Sequence, residues 1–151
     1  MLLEGRKALV TGAAGGIGSA IVTALRAEGA TVAAGDLETP QVASDIVLLG
    51  DLMQNSYCDE LPRKAADAFG GLDTLVNNAG IMRRGAINSA TDEDFAKTMA
   101  INAEAPFRLC RAAVPILSRR GGGAIINMAS CWGGPDHVVY VMSKAALASL
   151  T

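Results

Sequence analysis

The sequence predicts an α/β fold whose parallel β-sheet is doubly wound, with helices on both faces in a three-layer α/β/α arrangement. Five short apolar runs occur along the 151 residues, and most are separated by segments with helical periodicity. The runs lack apolar–polar alternation, and continuous apolar runs are typical of parallel strands that are buried on both faces. Because no linker, repeat or low-complexity segment divides the chain, residues 1–151 are expected to form one domain.

The bounds of the predicted elements follow from the residues that flank these runs. Gly29 is placed to end the first helix, and Thr91 with the acidic residues after it is typical of a capping box that opens a long helix running toward Leu117. Only nine residues separate Asp36 from Ile46, too few for a crossover helix, so this connection is predicted to be a loop. The expected strands are 7–11, 31–35, 46–49, 74–77 and 124–128, and the expected helices are 17–28, 56–69, 91–117 and 138 onward.

Composition excludes several classes of partner. The net charge of −2 and the pI near 5.3 provide no basic surplus to neutralise nucleic-acid phosphates or an anionic membrane surface. The three cysteines are widely spaced and form no CxxC pair, so we expect no metal site and no disulfide framework. No apolar stretch approaches the roughly 20 residues that span a bilayer. A cytoplasmic protein is expected.

A glycine-rich turn joins the first predicted strand to the first helix. Glycines let the backbone turn tightly and approach a pyrophosphate, whose charge is favoured at a helix N-terminus. A flexible loop or tight strand-to-helix packing would also use glycines, but dinucleotide binding requires this position after a strand and before a helix. The expected phosphate-binding residues are Gly12, Gly15, Gly16, Ile17 and Gly18.

Asp36 lies at the tip of the second predicted strand, 18 residues after Gly18. A carboxylate there accepts hydrogen bonds from the adenosine ribose of NAD and repels the 2′-phosphate of NADP. No Lys or Arg occurs between Thr11 and Gly18 or directly after Asp36. NAD is therefore the predicted cofactor, although Asp36 could also be an ordinary turn residue.

The motifs together are similar to those of the short-chain dehydrogenase/reductase family, in its single-domain form. They are Thr11-Gly12-x-x-x-Gly16-x-Gly18, Asp51-Leu52, Asn77-Asn78-Ala79-Gly80, Asn102, Ser130 and Tyr140-x-x-x-Lys144. The resemblance covers the chain from end to end and implies a Rossmann-type sheet and a nicotinamide cofactor. It also implies that Asp51 contacts the adenine ring and that the segment around Asn78, Ala79 and Gly80 lines the cofactor groove, with Leu52 beside Asp51.

The Tyr140 and Lys144 pair carries the predicted chemistry. Four residues apart, the two side chains share one face of a helix. A phenol alone is a poor base at neutral pH, but a cation about 4 Å away favours the phenolate by about 4 kcal/mol at an effective dielectric constant of about 20. Tyr140 is the expected general acid/base, Lys144 its activating cation and a ribose ligand. Ser130, two residues past the fifth strand, is expected to donate to the substrate oxygen or to cap the following turn.

The backbone carbonyl of Asn102 is predicted to support the reaction. Pro106 has no N–H to donate to the carbonyl four residues earlier, which belongs to Asn102. The resemblance implies that this position holds a water in a proton relay ending at the catalytic lysine. We predict that Pro106 frees the carbonyl and bends the helix.

Two features depart from the family pattern. Ser130 and Tyr140 are only ten residues apart, shorter than is usual in the family, and the chain stops at Thr151 inside an amphipathic pattern. Either the loop carries a deletion, or the sequence is incomplete there and beyond Thr151; we favour the second. The chain is then part of a longer single-domain enzyme and lacks the family's final strands. Trp132 and His137 in the loop, and the Arg83-Arg84 doublet, are candidate substrate contacts.

These observations predict an NAD-dependent oxidoreductase that interconverts an alcohol and a ketone by hydride transfer. The alternative is a non-catalytic dinucleotide-binding module, which would bind NADH without turning over any alcohol or ketone. The expected partner is a small alcohol or ketone, with no nucleic acid and no membrane. The resemblance also implies a homodimer or homotetramer.

Overall fold

The computed structural model describes residues 1–131 and 133–151, and it confirms the predicted α/β architecture. The candidate contact at Trp132 lies outside the described residues. The strands are β1 (Lys7–Thr11), β2 (Thr31–Asp36), β3 (Ile46–Leu49), β4 (Thr74–Asn77) and β5 (Ala124–Asn127). The helices are α1 (Gly16–Ala27), α2 (Asn55–Phe69), α3 (Asp92–Met99), α4 (Ala105–Arg119) and α5 (Val138–Leu150).

The five strands form one sheet in the order β3-β2-β1-β4-β5, and every neighbouring pair is parallel. The chain leaves β1 toward β2 on one side and returns to β4 on the other, so the strand order reverses between β1 and β4. Ligands of open parallel sheets bind at such a switch point, beyond the carboxyl ends of the strands. The segments that follow β1 and β4 therefore begin at the edge where a ligand is expected.

Helices pack on both faces of the sheet. Leu9 and Leu75 pack with Leu61 of α2 and Leu109 of α4 on one face, and all four are at most 1% exposed. On the other face, the side chains of Val10, Val32 and Val76 pack with Val22 of α1. Burying one such leucine contributes about 2 kcal/mol, so these layers hold α2 and α4 against one face of the sheet and α1 against the other.

The connection between β2 and β3 is a loop, as predicted. Arg26 of α1 anchors it, because its guanidinium contacts the Asp45 carboxylate at 3.2 Å and donates to the carbonyl of Ala43. The same carboxylate accepts the backbone N–H of Val32 at 2.8 Å. These bonds tie the loop to α1 and β2 without a crossover helix.

The missing crossover helix leaves the α1 face only partly covered. Val47 and Leu49 of β3 remain 39% and 54% exposed. Ile126 of β5, at the opposite edge, is 46% exposed. Helices were expected to cover both faces of the whole sheet, but they cover both faces only over the central strands.

Asp73 ties the start of β4 to its surroundings. Its carboxylate accepts the backbone N–H of Lys7 and the Nε–H of Arg120, both at 2.9 Å. Burial by itself raises the pKa of Asp73, but these hydrogen bonds and the charges of Arg120 and Arg6 bring it below its ordinary value. The ionised carboxylate is thus the form that the fold favours.

The long helix predicted from Thr91 is interrupted. Thr91 caps it as expected, accepting the N–H of Asp94 at 3.0 Å. A π-helical turn, Ala100–Glu104, then separates α3 from α4, and the N–H of Ala105 donates to the carbonyl of Ala100 five residues back. Pro106 follows directly, in the first turn of α4, where its missing N–H is tolerated.

In the part of the chain that the structure describes, no helix combines the length and apolarity required to cross a membrane.

Candidate active site

A cleft of about 440 Å³ opens at the carboxyl edge of the sheet. It lies between the glycine turn after β1 and the segment after β4. Of the residues expected to bind the cofactor, Tyr140 and Lys144 are not among those that line this cleft. All the others line it: Gly12, Gly15, Gly16, Ile17, Gly18, Asp36, Asp51, Leu52, Asn78, Ala79 and Gly80. The tertiary structure therefore brings together residues that are separated by up to 68 positions in the chain.

The glycines of the turn meet different constraints. Gly12 has a φ of +67°, and a Cβ there would lie 2.7 Å from the Cα of Ala79. A Cβ at Gly18 would overlap the Gly12 carbonyl, whereas a Cβ at Gly16 would have no described atom within 4 Å. Gly15 begins α1 without a side-chain cap, and the first turn of a helix leaves its N–H groups without intrahelical partners. The turn therefore fits an anionic phosphate group at its open side.

Thr11 and Asn78 fasten the glycine turn to the segment after β4. The Thr11 hydroxyl accepts the backbone N–H groups of Asn78 and Ala79, each at 3.2 Å, and donates to the carbonyl of Val76. The Asn78 side chain donates to the carbonyls of Thr11 at 2.9 Å and Gly12 at 3.1 Å. Sequence reasoning placed Thr11 in the motif but missed this role, which depends on contacts 65 or more residues apart.

Asp36 lies at the rim of the cleft with its carboxylate held by backbone groups. Oδ2 accepts the N–H of Ala14 at 2.8 Å, and Oδ1 accepts the N–H of Leu37 at 2.7 Å. These bonds fix the orientation of the carboxylate beside the glycine turn. Among the described residues, none of those lining the cleft is basic.

Lys144 is buried, and its charged end lies near Gly80. The residue is 5% exposed, and burial lowers its pKa. Its Nζ donates to the carbonyl of Met128 at 2.7 Å and lies 5.9 Å from the centroid of the Tyr140 ring. A Cβ at Gly80 would lie 3.3 Å from the same Nζ. Lys144 therefore adjoins the cleft at Gly80, and Tyr140 lies on the same helix face as Lys144.

Asn102 is fully buried in the π-helical turn. Its amide exchanges hydrogen bonds with the backbone of Ile81, accepting the N–H and donating to the carbonyl, each at 2.8 Å. It also donates to the hydroxyl of Ser143 at 3.0 Å, and that hydroxyl donates to the carbonyl of Tyr140. The departure from α-helical bonding occurs where Pro106 predicted it. The water-binding role of the Asn102 carbonyl stays a prediction.

The remaining candidates are Ser130 and His137, which precede the N-terminus of α5, and Arg83, which lies near α3. Ser130 is half-buried in the segment after β5, which brings it near Met128, the residue that binds Lys144. His137 is buried directly before α5 and forms a parallel bridge with Gly85. Arg83 pairs with the Asp94 carboxylate at 3.8 Å. That ion pair directs Arg83 toward the start of α3.

The described residues contain no group of three or more metal-ligating side chains. Cys58 is buried, Cys110 is half-buried and Cys131 is exposed, and all three are free thiols. Burial raises the pKa of Cys58 to about 11, which keeps it a thiol at neutral pH. None of these groups suggests metal or thiolate chemistry.

Comparisons with known proteins identify the family of the chain. A family model described as short chain dehydrogenase matches residues 6–151. Galactitol 2-dehydrogenase of Agrobacterium fabrum is 34% identical, over 100% of this chain and 64% of its own length. D-threitol dehydrogenase of Mycolicibacterium smegmatis is 38% identical, over 94% of this chain and 60% of its own length.

The solved structures give the same result. A short chain dehydrogenase from Burkholderia cenocepacia, in complex with NADP, superposes with a TM-score of 0.88 at 33% identity, over 100% of this chain and 67% of that one. The chain spans less than two thirds of the length of the two sugar-alcohol dehydrogenases. The alignment with galactitol 2-dehydrogenase runs over 163 positions for the 151 residues here, so that relative has additional residues inside the matched region. From sequence motifs, fold and relatives together, the chain belongs to the short-chain dehydrogenase family of oxidoreductases, which bind a nicotinamide dinucleotide and act on small molecules.

Proposed function

We propose that this chain is the cofactor-binding and catalytic part of an NAD-dependent oxidoreductase that interconverts an alcohol and a ketone. The observation that carries the proposal is the cleft, because the glycine turn, Asp36 and Gly80 line it together and Lys144 adjoins its Gly80 end. This arrangement supports a dinucleotide whose phosphates lie at the glycine turn and whose nicotinamide lies toward Lys144.

NAD is preferred over NADP because of charge. A 2′-phosphate on the adenosine ribose would lie beside the Asp36 carboxylate, with no basic side chain among the described cleft residues to neutralise it. The same carboxylate can accept hydrogen bonds from the ribose hydroxyls of NAD. The relative from B. cenocepacia carries NADP, so NADP occurs as a ligand in the family, and Asp36 is the residue that would oppose it here.

The protein side chains divide the chemistry between them. A nicotinamide dinucleotide held by the glycine turn, Asp36 and Lys144 would supply the acceptor for the hydride of the alcohol carbon. Ser130 donates a hydrogen bond to the substrate oxygen, and the Tyr140 phenolate takes the hydroxyl proton. Lys144 stabilises the phenolate and binds the ribose, and Asn102 supports the return of the proton to solvent. In the reverse direction Tyr140 donates the proton to the ketone oxygen.

Small polyols are the first substrates to test. Two of the relatives are named for sugar alcohols, galactitol and D-threitol. The whole protein is proposed to assemble as a homodimer or homotetramer. Its substrate would be a small molecule, with no nucleic acid and no membrane required.

The test measures binding and turnover separately. Calorimetry should show NADH binding at least about tenfold tighter than NADPH, and Asp36→Asn should narrow that ratio because it removes the charge that opposes the 2′-phosphate. Tyr140→Phe should lower turnover of polyols by orders of magnitude while changing NADH affinity far less. Equal affinity for the two cofactors would contradict the NAD assignment. NADH binding with no turnover of any alcohol or ketone would favour the non-catalytic module.

A further inference from the structure

Tyr57, in the first turn of α2, lines the cleft although no motif includes it. Its ring lies against Gly50, where an added Cβ would overlap the ring atoms, and its hydroxyl would lie 3.7 Å from a Cβ at Gly35. Gly35 directly precedes Asp36, and Gly50 directly precedes Asp51. The ring is therefore beneath the turns that present both carboxylates to the cleft.

The orientation of this ring is fixed by its hydroxyl. The Tyr57 hydroxyl donates to the carbonyl of Leu48 at 2.6 Å. Leu48 belongs to β3, an edge strand that lacks a crossover helix on the α1 face. Burial raises the pKa of Tyr57 to about 12, with smaller contributions from Cys58 and Asp36, so the phenol keeps its proton and its hydrogen bond at neutral pH. Because the Tyr57 hydroxyl is already hydrogen-bonded to β3, we expect a ligand in the cleft to contact the aromatic ring and not the hydroxyl.

The chemistry at this end of the cleft suits an adenine base. Leu52 and Leu61 add apolar surface beside the ring, and the carboxylates of Asp36 and Asp51 stand at the rim. A purine has a flat apolar face, and its exocyclic amine and the adjoining ribose hydroxyls are hydrogen-bond donors. Aromatic side chains bind such bases through their π-faces.

We propose that Tyr57 is a specificity residue for the adenosine half of the cofactor: its ring forms the floor on which adenine packs, and its bond to Leu48 holds that floor in place. This proposal rests on the proposed dinucleotide-binding function. Tyr57 lies where the β2–β3 connection is a short loop and where α2 bonds directly to the edge strand. The nicotinamide half lies at the other end, near Gly80 and Lys144, and does not depend on Tyr57.

The experiment separates the two halves of the cofactor. Calorimetric titration of the chain with NADH, AMP and reduced nicotinamide mononucleotide should show that Tyr57→Ala weakens NADH and AMP about tenfold, the equivalent of about 1.4 kcal/mol, and leaves the mononucleotide unchanged. Tyr57→Phe keeps the ring and should stay within about twofold of the unmodified chain for all three ligands. Tyr57→Leu, which keeps apolar bulk, serves if Tyr57→Ala does not fold, and should also weaken AMP.

Phe69 provides the matched control. It lies at the other end of α2 and packs on the same core cluster, outside the cleft. Phe69→Ala should lower the free energy of unfolding without changing the affinity for AMP. If AMP affinity is unchanged in both Tyr57→Ala and Tyr57→Leu, or if the mononucleotide weakens as much as AMP, the role of Tyr57 is refuted while dinucleotide binding stands. If the unmodified chain binds none of the three ligands, the proposed function itself is refuted, and this role with it.

Discussion

Replacing Thr11 with valine tests whether the glycine turn and the segment after β4 are held together as described. The side chains are nearly equal in volume, so the change removes the hydroxyl and little packing. The Asn78 N–H keeps a second acceptor, the carbonyl of Val76 at 3.1 Å, but the Ala79 N–H loses the Thr11 oxygen. One half-buried donor without its acceptor costs about 1 kcal/mol, the lower end of the range for a buried group. For a chain of this length that corresponds to a fall in Tm of about 2–4 °C.

The assay is thermal and urea unfolding, followed by NADH titration. Thr11→Ser keeps the hydroxyl and should lose much less stability than Thr11→Val. Thr23→Val is the control for loss of an exposed hydroxyl: that group donates to the carbonyl of Ser19 at the surface of α1, where water can replace it. The control should stay within about 0.5 kcal/mol of the unmodified chain. NADH affinity should fall several-fold in Thr11→Val, because Ala79 lines the cleft. A Thr11→Val variant as stable as Thr11→Ser would refute the reasoning.

Two further predictions concern the catalytic end of the cleft and the acid limit of stability. Gly80→Ala places a methyl group 3.2 Å from the Asn102 Oδ1 and 3.3 Å from the Lys144 Nζ, so it should cost about 1–3 kcal/mol in urea unfolding and weaken NADH binding. Gly16→Ala, with open space around the new methyl, should keep its stability, and equal losses in both variants would contradict the packing described. The pKa of Asp73 is lowered in the folded chain, so its contribution to stability is present above about pH 4 and is lost as the pH falls through the folded value. Asp73→Asn should therefore lose less stability than the unmodified chain between pH 5 and pH 2, as unfolding titrations would show, and an identical acid dependence would exclude this role.

Much of the fold was predictable because its signals are local. The strand runs, the loop between Asp36 and Ile46 and the cap at Thr91 are confirmed, since each depends on neighbouring residues. The continuous helix running toward Leu117 was wrong in one respect. Periodicity reports which face of a helix is buried, and it does not register the single change in hydrogen bonding that produces a π-helical turn.

Some residues of the candidate site were likewise predictable from local sequence, and others were not. The glycine turn and Asp36 were found from residue type and position, because backbone approach and charge act at fixed distances from a strand end. Tyr57 and Ser143 were missed. A tyrosine in an amphipathic helix does not reveal that it contacts Gly35 in β2 and Gly50 directly after β3. Similarly, the serine before Lys144 does not reveal its bond to Asn102, 41 residues away.

The sequence by itself determined the family and the position of the glycine turn, and it supplied the predicted catalytic side chains, because these depend on residue chemistry at short spacing. The tertiary structure decided the strand order and the partners of the buried groups. Lys144 bonds to the carbonyl of Met128, and Thr11 fastens two segments 65 or more residues apart. Such contacts form only when parallel strands bring their carboxyl ends to one edge, and chain order alone does not specify which segments meet there.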